Sequence, residues 1–402
     1  MKRFSFFTLT SFYRVLFFTI GGMIALGQLG RFELGSSRAL YFHDVALAVG
    51  ALVFLVDRFS VLKEKMRSSL LGKVFIALNL WILATSLLHF SSDQTQFLSV
   101  GLYLVRFDVM CTFGVLLSDL RSRKILHQYE LKWWLVSVLS SIAILGLIQY
   151  GIYPDTRDFK LLGWDDHYYR LISTLFDPGF TGILLTIGAI VSLGFVIATQ
   201  RSSWKSIVGV ATFCISFVAL LLTYSRASYL AFLIALVFFA LRTKKYLTLV
   251  LLPLFVMCIF LLPRPGGEGV KLERTASVVA RIDSVNDSFS GFSVSNVMIG
   301  KGWYWKKQVQ PTSIVGDQTV PNHSSAPENS FVFVFSSLGI IGLLLCGSIV
   351  FLLLQRSAFS VEVTTIMLAV SVHALFTNTF FYPFILIVLA VVMVKNEPKS
   401  LE

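Results

Sequence analysis

Long apolar runs separated by short charged intervals dominate the chain. A helix needs roughly 20 apolar residues to cross a ~30 Å hydrocarbon layer, and the runs have about that length. Read on this spacing, the sequence holds about twelve candidate spans, near residues 8–30, 39–57, 70–90, 97–118, 132–152, 178–199, 205–224, 226–241, 246–262, 331–354, 361–378 and 379–394. The seventh and eighth are divided only by the Tyr224-Ser225-Arg226 turn, and the last two by Thr377-Asn378-Thr379 and Pro383. Counts of eleven or thirteen also fit the pattern. The expected fold is all-α: a polytopic transmembrane helical bundle forming one integral membrane domain over 1–402.

The charged intervals orient the bundle. Arg58, Lys63, Lys65 and Arg67 share one interval, and Arg121, Arg123, Lys124 and Lys132 another. Arg201 with Lys205, and Arg242 with Lys244 and Lys245, mark two more, while Lys395 and Lys399 follow the last run. Alternation of twelve spans puts all of these on one side, which basic loops identify as the cytoplasm. Both termini are then cytoplasmic. The first run holds Arg14 and has no clear small-residue cleavage site, so it reads as a retained signal anchor. Two longer loops, 153–177 and 263–329, fall on the extracytoplasmic side. The second is longer than a compact bundle requires, so it is water-exposed or forms a small cap. It also keeps seven basic residues, an excess that asks for an anionic partner.

Composition agrees with the pattern. Hydrophobic residues make up 55% and charged residues 14%, against about 25% charged in soluble domains. The net charge of +12 does not point to nucleic acid, because Lys and Arg sit mainly in the short loops. Cys111, Cys214, Cys258 and Cys346 lie inside apolar runs without CxxC spacing, and read as small packing residues. No internal repeat or soluble domain stands out.

Four polar features share the extracytoplasmic side: Arg170 with Asp177-Pro178, Arg226 at the hairpin tip, Arg281 in the long loop, and Glu328-Asn329-Ser330. Interfacial arginines can simply snorkel. Guanidinium groups also match phosphate oxygens bidentately, and two or three could neutralise a diphosphate. No Gly-rich nucleotide motif is present, so such a phosphate would belong to a lipid or glycolipid. Ser325-Ala-Pro-Glu328 fits a helix capping box with Pro327 in the first turn; the other reading of Glu328 is a general base beside an anion site. His323 is a second candidate base. Within the spans, Asp44 and Arg106 pair plausibly between helices, and Asp108 needs a partner. His373 reads as a core histidine, and Arg14 and Lys73 as snorkelling residues.

The segment LLTYSRASYLAFLIALV resembles the T-x-S-R helical hairpin of bacterial O-antigen ligases and polymerases. GKGWYWKK followed by PENSFVFVFSSLGIIG is similar to that family's G-x-G and H/E-N elements, and GWDDHYYRLISTLFDPGFTG to its upstream R-x-x-(S/G)-T element. Together these cover residues 150–345; the first 150 residues match in hydropathy alone. The resemblance implies a membrane glycosyltransferase of the plasma membrane's outer face, acting in surface polysaccharide biosynthesis on an undecaprenyl-diphosphate-linked oligosaccharide and an acceptor glycan. It assigns the diphosphate to Arg226 and Arg281, with help from Arg170. The ligase branch often has histidine where Glu328 stands, which favours a repeat-unit polymerase over an O-antigen ligase. On this reading Glu328, Arg226 and Arg281 are catalytic, while Arg170, Asn329 and His323 contact substrate. No cofactor is expected, and no acidic cluster has metal-ligand spacing. A transporter or flippase would instead require a polar path through the midplane and inverted repeats.

Overall fold

The computed structural model describes residues 8–33, 39–89, 94–198, 203–266, 268–273, 275–303, 312–315, 318–321 and 328–397. The apolar runs fold as helices. α1 is Leu9–Leu26, α2 Phe42–Ser68, α3 Leu70–Leu88, α4 Gln94–Ser122, α5 Gln128–Ile152, α6 Pro178–Ala198, α7 Trp204–Leu222, α8 Arg226–Thr243 and α9 Leu251–Leu261. Two helices outside the apolar pattern follow, α10 (Ala276–Phe289) and α11 (Val294–Ile299). The chain closes with α12 (Ser330–Arg356), α13 (Val361–Ala374) and α14 (Pro383–Lys395). Two short antiparallel hairpins interrupt the helices: β1 (Arg31–Glu33) with β2 (Ala39–Tyr41), and β3 (Thr312–Val315) with β4 (Gln318–Pro321).

Among the described residues, nine helices are long and apolar enough to cross a membrane. Three more stretches, Tyr246–Leu261, Val361–Ala374 and Pro383–Lys395, are apolar but shorter. The all-α polytopic expectation therefore holds, whereas the final two expected spans are cut back to 14 and 13 residues. At about 1.5 Å per residue each covers only some 20 Å. The reason lies between them: α13 stops at Ala374, and the connection to α14 carries the buried Thr379 into the bundle.

α6 is the most enclosed span, packed by α5, α7, α8 and α13. Small residues let it in. A Cβ on Gly182 would lie 2.4 Å from Ser228 Oγ on α8, the close approach typical of membrane helix pairs.

α12 is broken at Gly339, whose φ of 67° is non-helical. The break leaves carbonyls without helical donors in a region where water cannot replace them. The segment Gly300-Lys301-Gly302 crosses the break and supplies two donors: Lys301 N to Ser336 O at 2.9 Å and Gly302 N to Ser337 O at 2.9 Å. Trp81 Nε1 on α3 donates to Leu338 O at 2.9 Å. The crossing is so close that a Cβ on Gly339 would meet Met298 O at 2.2 Å, and one on Gly300, itself at φ 72°, would meet Ser337 C at 2.3 Å.

The two ends of the bundle carry different chemistry. α12 is 27 residues long, about 40 Å at the helical rise. At its far end Arg356 pairs with Glu397 at 2.7 Å and bonds Ser118 Oγ at 2.9 Å. Arg123 meets Asp119 at 2.8 Å and Arg58 meets the same carboxylate at 3.4 Å. Lys395 pairs with Glu362 at 2.5 Å. Basic residues from three of the intervals between the spans, and from the end of α14, thus converge on one end of the bundle. Arg14 belongs here too: it is paired with Glu130 rather than snorkelling, since the capping carboxylate of α5 lies within reach. Inside the bundle, Arg106 grips Asp44 through Nε at 2.9 Å and Nη2 at 2.8 Å, the expected bridge between α4 and α2.

Replacing Gly339 or Gly300 by alanine is expected to lower stability by about 1–3 kcal/mol, through left-handed strain plus steric conflict. Thermal melting of the detergent-solubilised protein, followed by loss of the monodisperse peak, checks this; melting unchanged for both variants would refute the bridging account.

Candidate functional site

At the other end of α12, four segments meet around a half-buried arginine–carboxylate pair. The first is the turn between α7 and α8. Tyr224 adopts φ 51°, which lets the chain reverse within three residues. Ser225 caps α8 by accepting from Ser228 N at 3.4 Å, and Ser225 N donates to Thr223 Oγ1 at 3.2 Å. The turn is thereby rigid, and Arg226, the first residue of α8, leaves it from a fixed backbone.

Arg170 holds this turn from behind. It is 8% exposed, and its guanidinium donates to Thr223 O at 3.0 Å and Tyr224 O at 3.5 Å. Leu171 N donates to Leu222 O at 2.8 Å beside it. Those two carbonyls are turned away from helical donors, and the arginine satisfies them. Downstream, Ser173 Oγ bonds Ile142 O at 2.7 Å and Thr174 Oγ1 bonds Ala25 O at 2.8 Å. Residues 170–175 are accordingly embedded between helices.

Arg226 is half-buried and donates from Nη1 to Leu272 O at 2.9 Å. Its neighbour in charge is Arg281 on α10, close enough for the two cations to act on one another. Arg281 Nε lies 3.0 Å from Glu328 Oε2; the side chains are 30% and 42% exposed. Glu328 immediately precedes the cap of α12. The capping-box reading of this residue is corrected here: α12 starts at Ser330, and Asn329 is its cap, accepting from Phe331 N at 2.9 Å and Val332 N at 3.1 Å. With the helix amides already taken, the Glu328 carboxylate faces Arg281 instead. Ser325, Pro327 and the candidate base His323 lie outside the described residues.

Asn329 has a second bond, from Nδ2 to Leu375 O at 2.9 Å. Ser330 Oγ donates to Thr377 O at 3.3 Å and accepts from Phe380 N at 3.2 Å. The head of α12 is therefore stapled to the turn after α13. On the far side, Asp177 caps α6 by accepting from Phe180 N at 2.7 Å.

Burial raises the Glu328 carboxyl above the ordinary glutamate range; Arg281 opposes the rise, and the negative charge of Asp165 adds to it. Asp177 is also raised, by burial first and in part by Glu328, while its amide bonds and Arg170 pull it down. Asp165 rises through burial and the charges of Asp177 and Asp166. The site is thus a coupled set of carboxylates tempered by arginines.

The fold brings Arg226, Arg281, Glu328 and Asn329 together, with Arg170 one layer behind them. Sequence reasoning missed the electrostatic part of Asp165 and Asp177, while His373 is the buried core histidine expected. Chemically, two guanidiniums and one raised carboxylate can receive an anionic group while accepting a proton from a hydroxyl beside it.

Residues 211–347 match a family model described as O-antigen ligase. The matched stretch contains Arg226, Arg281, His323, Glu328 and Asn329, and supports placement in the O-antigen ligase and polymerase family. No curated protein matches the chain.

Arg170→Met is expected to lower stability by about 1–3 kcal/mol, because two buried carbonyls lose their donor. Arg226→Ala on the same turn removes a partly exposed side chain and is expected to cost under about 1 kcal/mol. Melting curves of the two variants side by side check the difference; equal losses would remove the distinction between them.

Proposed function

We propose that this chain, a member of the O-antigen ligase and polymerase family, is an inner-membrane glycosyltransferase that joins oligosaccharide repeat units carried on undecaprenyl diphosphate. The observation that carries the reading is the Arg281–Glu328 contact of 3.0 Å with Arg226 nearby. Cations and a base on adjoining segments are what transfer from a diphosphate leaving group to a hydroxyl acceptor demands.

In this mechanism the carrier diphosphate sits against Arg226 and the terminal nitrogens of Arg281. The acceptor hydroxyl oxygen attacks the anomeric carbon, Glu328 takes the hydroxyl proton, and the bond to the diphosphate oxygen breaks with its electron pair going to the phosphate. Fixed positive charge where negative charge develops contributes most to such a barrier reduction. The elevated carboxyl of Glu328 suits a general base, which works best when its pKa approaches the working pH. Glu328 and the arginines would face the extracytoplasmic side, since the opposite end gathers the basic loops that mark the cytoplasm. Arg170 is a positioning residue here, holding the turn that presents Arg226. Asn329 would orient the base by capping α12.

Polymerase is favoured because a glutamate stands where ligases often carry histidine. Transfer of the finished glycan to a lipid acceptor is the second reading, and the matched family's description as a ligase speaks for it. Deletion of the gene separates the two. Loss of a polymerase leaves single repeat units attached to the acceptor; loss of a ligase leaves polymer on the carrier and none attached.

Arg226→Ala and Arg281→Ala are expected to cut product formation about 10²–10³-fold, and Glu328→Gln about 10²–10⁴-fold, at undiminished membrane abundance. Chain-length profiles on gels read this, and wild-type profiles from all three variants would sink the assignment. The rate should also fall as pH drops through the raised Glu328 pKa, because only the carboxylate accepts the proton. Arg281→Gln removes the charge that holds this pKa down, so its residual activity should vanish at a higher pH than in the wild type; an acid limb unmoved by the substitution would contradict the coupling.

A further inference from the structure

We infer that His373 is a positioning residue for the Glu328–Arg281 pair, acting through the turn that joins α13 to α14; the inference rests on the reading of Glu328 as the base. The imidazole is fully buried one residue before the end of α13. Its Nδ1 is 2.8 Å from Thr377 Oγ1 and 2.7 Å from Thr379 Oγ1, and those two hydroxyls are 2.7 Å from each other. The three atoms form a closed triangle that fixes the backbone of 377–379. Thr379 N donates to Thr377 O at 2.9 Å within the same turn.

That turn is where the head of α12 is attached. Thr377 O accepts from Ser330 Oγ, Phe380 N donates back to the same hydroxyl, and Leu375 O accepts from Asn329 Nδ2. All three bonds come from the two residues directly after Glu328. The path from the imidazole to the carboxylate is therefore short and continuous: ring, threonine hydroxyls, turn, Asn329 and Ser330, Glu328. The other edge of the ring faces α6, where a Cβ on Gly179 would lie 3.9 Å from Nε2. Gly179 O in turn accepts from Ser228 Oγ of α8 at 3.2 Å. One buried ring thus sits where the heads of α6, α8 and α12 are referenced to one another, within electrostatic reach of Arg281.

A histidine serving only as packing would tolerate a leucine of similar bulk apart from a general loss of stability. A positioning role predicts a specific change at Glu328, which is faced by Arg281 on α10, Asp165 in the connection before α6 and Asp177 at the head of α6. If the carboxylate drifts from Arg281, it loses the charge that holds its pKa down.

The test uses the full-length protein in membranes with His373→Leu, His373→Asn and Thr377→Val. Asparagine keeps a polar atom near the Nδ1 position, whereas leucine does not. The first readout is the pH midpoint for carbodiimide coupling at Glu328, followed by peptide mass spectrometry. The midpoint is expected to move up by about half a unit or more for the Leu and Val variants, and to stay near wild type for Asn. The second readout is transfer kinetics, with kcat expected to fall about 10-fold in the Leu variant at an unchanged KM for the carrier-linked donor. An unmoved midpoint in inserted Leu and Val variants overturns the inference, as does equal impairment of the Asn and Leu variants. Should the Leu variant fail to insert, the Val variant decides by the same readings. The coupling readout does not depend on turnover. A shifted midpoint together with wild-type activity of Glu328→Gln would leave the positioning role standing and remove the catalytic role of Glu328.

Discussion

Inside a lipid bilayer a backbone carbonyl that loses its helical donor must find another within the protein. The break in α12 at Gly339 creates that demand, and Lys301 N, Gly302 N and Trp81 Nε1 meet it. The consequence extends beyond one helix. Because two of these donors come from the segment after α11, the long connection that carries Arg281 is tied to the helix that follows Glu328. Lys301 strengthens the tie by bonding Ser290 O at 2.6 Å, just beyond the end of α10. The Arg281–Glu328 contact at the head of α12 thus depends on a bond pattern around Gly339, further along the same helix.

The helices were legible from hydropathy because burial in lipid makes the pattern nearly one-dimensional: a run is apolar or it is not. The ends and breaks were harder. Gly339 sits in a run whose hydropathy does not change across the break, and the partner that permits it lies at residues 300–302, outside any apolar run. The cut-back of α13 was also hidden, since Thr377, Asn378 and Thr379 look like an ordinary interruption between two spans. What shortens the helix is the contact of both threonines with His373, a relation of spacing and not of polarity.

The site residues divide in the same way. Arg226, Arg281 and Glu328 could be chosen from the sequence because charges are scarce in such a chain and each needs a reason. Their roles could not be read as easily. Glu328 fits a capping box on spacing, and only the presence of Asn329 as the acceptor for Phe331 N and Val332 N takes that task from it. The amide side chain is the better cap because it accepts the helix amides while its own N–H reaches Leu375 O, which a carboxylate could not do. Capping by a neutral residue leaves the charge of its neighbour uncommitted to the helix.

Burial, more than charge, separates the three arginines. Arg170 is nearly excluded from solvent and its donors are taken by Thr223 O and Tyr224 O, so its strength is spent within the fold. Arg281 keeps 30% of its side chain exposed and meets its carboxylate through Nε, so the N–H edge of its terminal nitrogens lies outside that contact. Arg226, partly buried like Arg281, stands on a turn whose carbonyls Arg170 holds. Under the proposed function, a cation that binds and then releases a diphosphate cannot be held as tightly as Arg170, yet it gains from standing on a turn that is. The bundle gives adjacent layers of one surface different tasks: the inner arginine orders the peptide, and the proposed mechanism leaves the substrate to the outer pair.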